Sequence, residues 1–353
     1  MPHSEQSSAS RQTETPKRTA ALRRPNPPKR TEFPQRPAAG QAVAEDSELQ
    51  LDSSFYLAFE MTHRALKAGL SQASDLSITQ YRTLVKLQAA SPDPLNQTEL
   101  GRILGLKANV VTQAVNALEA QGLVARTVGT RDGRSRLVTV TDAGENLIDH
   151  VNAALVDQLY TLFPTEDASY RNILEASIAA GALIDPPISH DTVVRYPASR
   201  ALVSLELIRQ ATEQGLREAC GASYTECRIM QRLGELGRPL RIVDLSDQLD
   251  LSAVNIARTA DKLAARGWVQ RMRSSADRKA VFLALTAEGE FQCRIIDEKA
   301  GQLGRDLLWS RLSPENRRAV ADVGQIVIAG IRAKREARRD AALESLEPIA
   351  RPD

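Results

Sequence analysis

Residues 100–144 read "LGRILGLKANVVTQAVNALEAQGLVARTVGTRDGRSRLVTVTDAG", and within that stretch the hydrophobic period changes once. Up to Gly122 the apolar residues recur at helical spacing, which predicts a short helix in "NQTELGRILGL" and a longer one in "ANVVTQAVNALEAQG". Gly122 stands where a left-handed C′ residue ends a helix, and Asn96 ahead of Glu99 resembles a capping box at the start of the shorter one. Beyond Gly122 the period shortens towards two. "LVARTV" and "RLVTVT" are β-rich runs flanking the polar tip "GTRDGRS", and together they predict a hairpin. Just upstream, "ITQYRTLVKLQAA" predicts a further helix.

The same pattern occurs twice. Residues 79–145 align with 225–290 at an offset of 146, which drops to 145 after one deleted residue near Pro92–Pro94. Thr79, Arg82 and Leu87 match Thr225, Arg228 and Leu233, and Leu100, Leu104 and Leu106 match Leu245, Leu249 and Leu251. Leu118, Gly122, Val124 and Arg126 match Leu263, Gly267, Val269 and Arg271; Asp132, Thr141, Gly144 and Glu145 match Asp277, Thr286, Gly289 and Glu290. Chance seldom aligns apolar, glycine and charged positions together, so the halves are two copies of one unit joined near Pro186–Pro187. Each copy reads as two short helices followed by a β-hairpin, a winged helix-turn-helix. The expected fold is mainly α with small hairpin wings, and the flanking segments 48–70, 142–184, 191–220 and 287–340 are helices that could form a dimerisation layer within one chain. The expected domains are a basic, proline-rich arm over 1–45, a first winged-helix domain over 46–187, a second over 188–340 and a tail over 341–353.

Composition bounds the partners. The 353 residues carry 46 Lys+Arg against 44 Asp+Glu, a net charge of +2, but residues 1–44 alone carry +5 and the rest −3. That first segment also holds seven of the 17 prolines and much Ser, Thr and Gln, so it buries too little apolar surface to offset its ordering entropy. It reads as a disordered arm that either lies along phosphates or merely solubilises, unless the start is assigned too early. A mean hydropathy of −0.31 and the lack of a long apolar run argue against a membrane span. The N-terminus lacks the apolar stretch of a secretory signal. Cys220, Cys227 and Cys293 are too few and too unevenly spaced for a disulfide framework or a cysteine-rich zinc site, so a reducing cytoplasm is expected.

The stretch 100–144 resembles the DNA-binding core of the MarR family of transcriptional regulators, and "LSDQLDLSAVNIARTADKLAARGWVQRMRSSADRKAVFLALTAEG", residues 245–289, resembles a second, more diverged copy. The wing signature, an Asp nine residues before a Thr followed by x-x-Gly, is present in both, at Asp132, Thr141 and Gly144 and at Asp277, Thr286 and Gly289. The resemblance implies that the second helix of each unit enters a major groove of double-stranded DNA. Asn109, Thr112, Gln113 and Asn116 would then be presented by the first copy, and Asn255, Arg258 and Lys262 by the second. Amides suit adenine and Arg suits guanine, so a pseudo-palindromic operator with unequal half-sites is expected. The resemblance further assigns a minor-groove role to Arg134, steadied by Asp132. In the second copy Asp277 is followed by Arg278 and Lys279, and Lys occupies the matching place. Arg131, Arg136, Arg271 and Arg273 would lie alongside as phosphate contacts.

Proteins of this kind are implied to be twofold dimers with interlocking terminal helices; fusion predicts a monomeric pseudo-dimer, with a homodimer as the alternative. The resemblance also implies a cleft for a small aromatic or phenolic effector, for which Tyr56, Phe59, His63, Tyr81 and Arg82 are candidates, each of them equally consistent with helix packing. No catalytic residue, metal site or cofactor is expected. His3, His63, His150 and His190 are isolated from metal-ligand spacing, and no phosphate loop or nucleophile elbow occurs. The competing reading is a tandem winged-helix interaction module of a chromosome-organising complex, favoured by the lack of a basic residue within the first copy's recognition helix.

Overall fold

The structure is a computed structural model that describes residues 52–128, 136–163, 168–184, 195–273, 280–324, 326, 327 and 329. The first repeat runs α1 (Ser53–Ala73), α2 (Ile78–Ala90), β1 (Leu95–Asn96), α3 (Gln97–Leu104), α4 (Ala108–Ala120), β2 (Val124–Val128), β3 (Arg136–Val140), α5 (Asp142–Leu162) and α6 (Ala168–Ile184). The second runs α7 (Pro197–Cys220), α8 (Tyr224–Leu236), β4 (Leu240–Arg241), α9 (Ile242–Leu249), α10 (Ala253–Ala265), β5 (Val269–Arg273), β6 (Val281–Leu285) and α11 (Ala287–Leu307). A 3₁₀ turn, Trp309–Arg311, and a helical segment over 314–324 come after it. From α2 to α5 and from α8 to α11 the elements of the two repeats begin and end at equivalent residues, with the change of offset confined to the turn before β1 and β4.

Local signals explain these boundaries. Ser77 and Ser223 form complete capping boxes with Gln80 and Glu226 at the starts of α2 and α8. Asn96 accepts a bond from Glu99 N at 2.8 Å and so caps α3. Gly122, just beyond α4, has φ of +70°, the left-handed conformation expected of it. The sequence did not show β1 and β4. Each is two residues long, too short for a period, yet each pairs antiparallel with the last wing strand, giving sheet orders β1-β3-β2 and β4-β6-β5.

The long helices are shared between repeats. Leu57, Leu66 and Leu70 of α1 enter the core of the first repeat, whereas Tyr56 enters the core of the second beside Leu216 and Tyr224. Conversely, Ala198, Leu202 and Val203 of α7, with Val323 and Val327, complete the first core. A third cluster, Ala180, Ile184, Ile208, Leu308 and Leu312, bridges α6, α7 and the end of α11, with Phe55 and Phe59 packed against it. Close approach is built in by glycine at matching places: a Cβ on Gly69 would lie 3.1 Å from Ala154 O of α5, and one on Gly215 would lie 2.8 Å from Leu303 of α11.

Polar contacts fix the register of the two repeats. His63 Nε2 lies 2.6 Å from Glu206 Oε2, and Arg209 Nε donates to Glu60 Oε1 at 3.2 Å. Glu60 and His63 of α1 occupy the same repeat positions as Glu206 and Arg209 of α7, so these are two versions of one contact. Arg64 also reaches Asp250 at 2.6 Å, and Ser53 N donates to Glu235 at 2.6 Å. Burial alone would raise the Glu206 carboxyl, but the bond and charge of His63, the bond from Gln210 and the charge of Arg82 outweigh it and hold the group at about 2. An ionised carboxylate can only accept, so His63 Nε2 is the donor.

Because the folded value for Glu206 lies below its ordinary 4.5, its stabilisation is complete above about pH 4.5 and is lost as the pH falls towards about 2. Glu206→Gln is expected to cost about 1–3 kcal/mol at pH 7 and to flatten the acid limb of stability, measured by urea unfolding at successive pH values.

Candidate nucleic-acid interface

In each repeat two short helices and a hairpin form the unit that the sequence predicts, and the second helix leaves one face uncovered. On α4 the residues Asn109, Thr112, Gln113 and Asn116 are exposed; on α10 the exposed residues include Val254, Asn255, Arg258 and Lys262. Their opposite faces are buried through Val111, Ala114, Val115 and Leu118 in α4, and through Ile256, Thr259, Ala260 and Leu263 in α10. Each recognition-type helix is thus held from behind by its own core and offers one polar face.

Two buried arginines set the angle between the helices. Arg82 Nη2 donates to Leu104 O at 3.1 Å, and Arg228 Nη2 donates to Leu249 O at 2.7 Å, so a guanidinium satisfies the C-terminal carbonyl end of α3 and of α9. The turn after each of these helices is left-handed. Gly105 adopts φ of +63°, whereas the second copy has Asp250 at φ of +51° and uses its carboxylate on Arg64 of the other repeat.

A second arginine pair ties each wing strand to the helix in front of it. Arg126 of β2 donates to Asn116 Oδ1 at 2.6 Å and pairs with Glu119. Arg271 of β5 pairs with Asp261 at 2.9 Å and donates to Ala257 O at 3.0 Å. This clamp was missed in the sequence, although the match of Arg126 to Arg271 and the acids on the adjacent helix were its signal. Asn116 therefore has its carbonyl oxygen occupied. Thr112 Oγ1 donates to Ala108 O at 2.9 Å and lies 3.1 Å from Gln97 Oε1. Asn109, Gln113, Asn255, Arg258 and Lys262 are exposed at the surface of their helices.

In the wings, Arg136 opens β3 and Arg273 ends β5, both exposed at the outer end of their hairpins. Arg131, Asp132, Arg134, Asp277, Arg278 and Lys279 lie outside the described residues. The Thr-x-x-Gly of the wing signature has a direct physical explanation. Thr141 Oγ1 donates to Gly122 O at 2.7 Å and accepts from Gly144 N at 3.1 Å, joining the end of α4, the end of the hairpin and the start of α5. Thr286 repeats this with Gly267 O at 2.6 Å and Gly289 N at 2.9 Å. Both glycines sit against backbone: a Cβ would fall 2.2 Å from Leu123 O at Gly144 and 1.8 Å from Trp268 O at Gly289.

The five effector candidates are placed between the repeats. Tyr56 OH lies 3.5 Å from Ala300 O, Tyr81 OH 2.7 Å from Ser199 Oγ, and Arg82 Nη1 3.2 Å from Gln210 Oε1. With His63 on Glu206, four buried side chains are engaged across the two copies, and Phe59 packs against the bridging cluster. The thiols are shielded: burial pushes Cys227 up and brings Cys293 to about 12, which disfavours the reactive thiolate. Among the described residues no helix is long and apolar enough to cross a membrane.

Two family models, both described as MarR family, match residues 74–135 and 222–281. The transcriptional repressor MprA of Escherichia coli (strain K12) is 39% identical over 71 residues, covering 20% of this chain and 39% of that protein. YpoP of Bacillus subtilis (strain 168), an uncharacterized HTH-type transcriptional regulator, is 31% identical over 77 residues, covering 22% of this chain and 54% of that protein. The chain thus spans between about two fifths and half of the length of these relatives. The crystal structure of Sco3205, a MarR family transcriptional regulator from Streptomyces coelicolor in complex with DNA, is 22% identical with a TM-score of 0.34, covering 36% of this chain and 84% of that one.

Gly144→Ala and Gly289→Ala are each expected to destabilise the fold by about 1–3 kcal/mol, since backbone must move to admit the methyl, and chemical denaturation measures it. Gly105→Ala, whose added Cβ meets nothing within 4 Å, is the comparison that isolates the cost of its positive φ.

Proposed function

Because the chain carries two MarR family domains in tandem, we propose that it is a DNA-binding transcriptional regulator, a repressor, that reads a pseudo-palindromic operator with unequal half-sites. The observation that supports this most is the pair of recognition-type helices that leave matching faces uncovered and carry different chemistry, amides on α4 and cations on α10. Each helix would enter a major groove, with Arg258 as a reader of guanine and Asn109 and Gln113 as readers of adenine. The wings, through Arg134 and the Arg278–Lys279 pair, would contact minor grooves. Arg136 and Arg273, at the outer ends of the hairpins, would lie against phosphates. Arg271 is committed to Asp261 and Ala257 O, which favours a role in steadying the wing over a phosphate contact. The repressor assignment rests on similarity to MprA, a transcriptional repressor.

The working unit is one chain. His63–Glu206 and Arg209–Glu60 join the repeats within one chain, an arrangement that linkage favours through a high effective concentration. A small aromatic effector would act at this same interface, by competing for the bonds of Tyr81, Arg82 and His63 that join the two copies.

The test is quantitative binding to duplexes selected from a random library, over a range of salt concentrations. Arg258→Ala is expected to cost about 1–3 kcal/mol and to relax base preference in one half-site, while Arg134→Ala lowers the salt slope of log K by about one. Equal loss across unrelated sequences for Arg258→Ala would make it a phosphate contact. In sedimentation equilibrium the DNA-free protein is expected at its chain mass of 38.6 kDa, and a species of twice that mass would overturn the single-chain unit.

A further inference from the structure

Val254 is 70% exposed, the highest value among the exposed large hydrophobic side chains of the described residues. It sits in the first turn of α10, just inside the cap that Ser252 makes to Asn255 N. A valine so placed contributes nothing to the core, whose side of α10 is filled by Ile256, Ala260 and Leu263. Arg258, four residues on, and Lys262, eight residues on, share its face at helical spacing, and both are exposed. The apolar group is thus the leading member of a cationic stripe, and the ligand that suits such a stripe is a polyanion with a small apolar group at its centre. In the major groove of DNA that group is the C5-methyl of thymine, the one apolar feature among the base edges. The equivalent position of α4 carries exposed Asn109, an amide suited to adenine.

We infer that Val254 is a specificity-determining residue which selects thymine, through its C5-methyl, in the half-site read by the second repeat. The inference rests on the DNA-binding reading above and adds a base preference that neither Arg258 nor Lys262 supplies. Val243, 59% exposed in the first turn of α9, belongs to the helix that crosses the backbone in this motif, and it serves as the control.

Duplexes enriched from a random library by the full chain are resynthesised with each thymine in turn replaced by deoxyuridine, which removes one methyl and leaves every hydrogen-bonding group in place. At one thymine, in one half-site, the wild-type chain is expected to lose about fourfold in affinity, the worth of one buried methyl-sized group. Val254→Asn is expected to bind DNA with that penalty abolished, whereas Val243→Ala retains it. The side chain is exposed and the cap at Ser252 is untouched, so the variant is expected to fold. If the chain enriches a sequence but no deoxyuridine substitution weakens binding by as much as twofold, or if Val254→Asn keeps the penalty, Val254 does not read thymine and the DNA-binding reading stands. If no duplex is enriched at all, both fail.

Discussion

Each repeat buries part of its long helices in its own core and part against the other repeat. α1 places leucines in the first core and Tyr56 in the second, while α7 returns Ala198, Leu202 and Val203 to the first. The winged units stand on this shared layer. A network of four side chains shows how directly: Arg82 holds the end of α3 through Leu104 O and also donates to Gln210, which donates to Glu206, which accepts from His63. The angle at which the first repeat presents α4 is therefore tied to a helix of the second. Covalent linkage keeps the components of this layer at high effective concentration, so the ordering entropy of assembly is met once, during folding.

The repeat made most of the fold legible. With residues 79–145 laid on 225–290, helices, hairpin and the glycine past α4 and α10 fall at equivalent positions, and the structure places them there. Period alone does not show strands of two residues, and so β1 and β4 were missed. Local spacing is equally silent on contacts between residues far apart in the chain. Tyr56, His63, Tyr81 and Arg82 stand out in the sequence as aromatic and polar residues on helices flanking a cleft, and each meets a partner 22 to 244 residues away, or both a near and a far one. The two-residue spacing that ends each wing signature is readable as a motif, but its reason is not: Gly144 and Gly289 are required by the backbone carbonyls of Leu123 and Trp268, which only the folded chain brings beside them.

The symmetry of the repeats is broken at selected points. His63 stands where Arg209 stands in the other copy, Gly105 where Asp250 stands, and Asn109 where Val254 stands. The first change keeps a contact while altering its chemistry, and the second adds one. Asp250 takes a left-handed conformation that glycine adopts without strain, and its carboxylate gains Arg64 in exchange. The third lies on the uncovered face, where no internal partner constrains it.

A homodimer edits both of its half-sites with every codon it changes, and its targets are confined to sequences close to a palindrome. With both recognition helices on one chain, a substitution on α10 leaves α4 untouched. On the DNA-binding reading proposed above, the repertoire open to such a chain grows as the product of the two helices' choices, and a drifting operator can be followed one arm at a time.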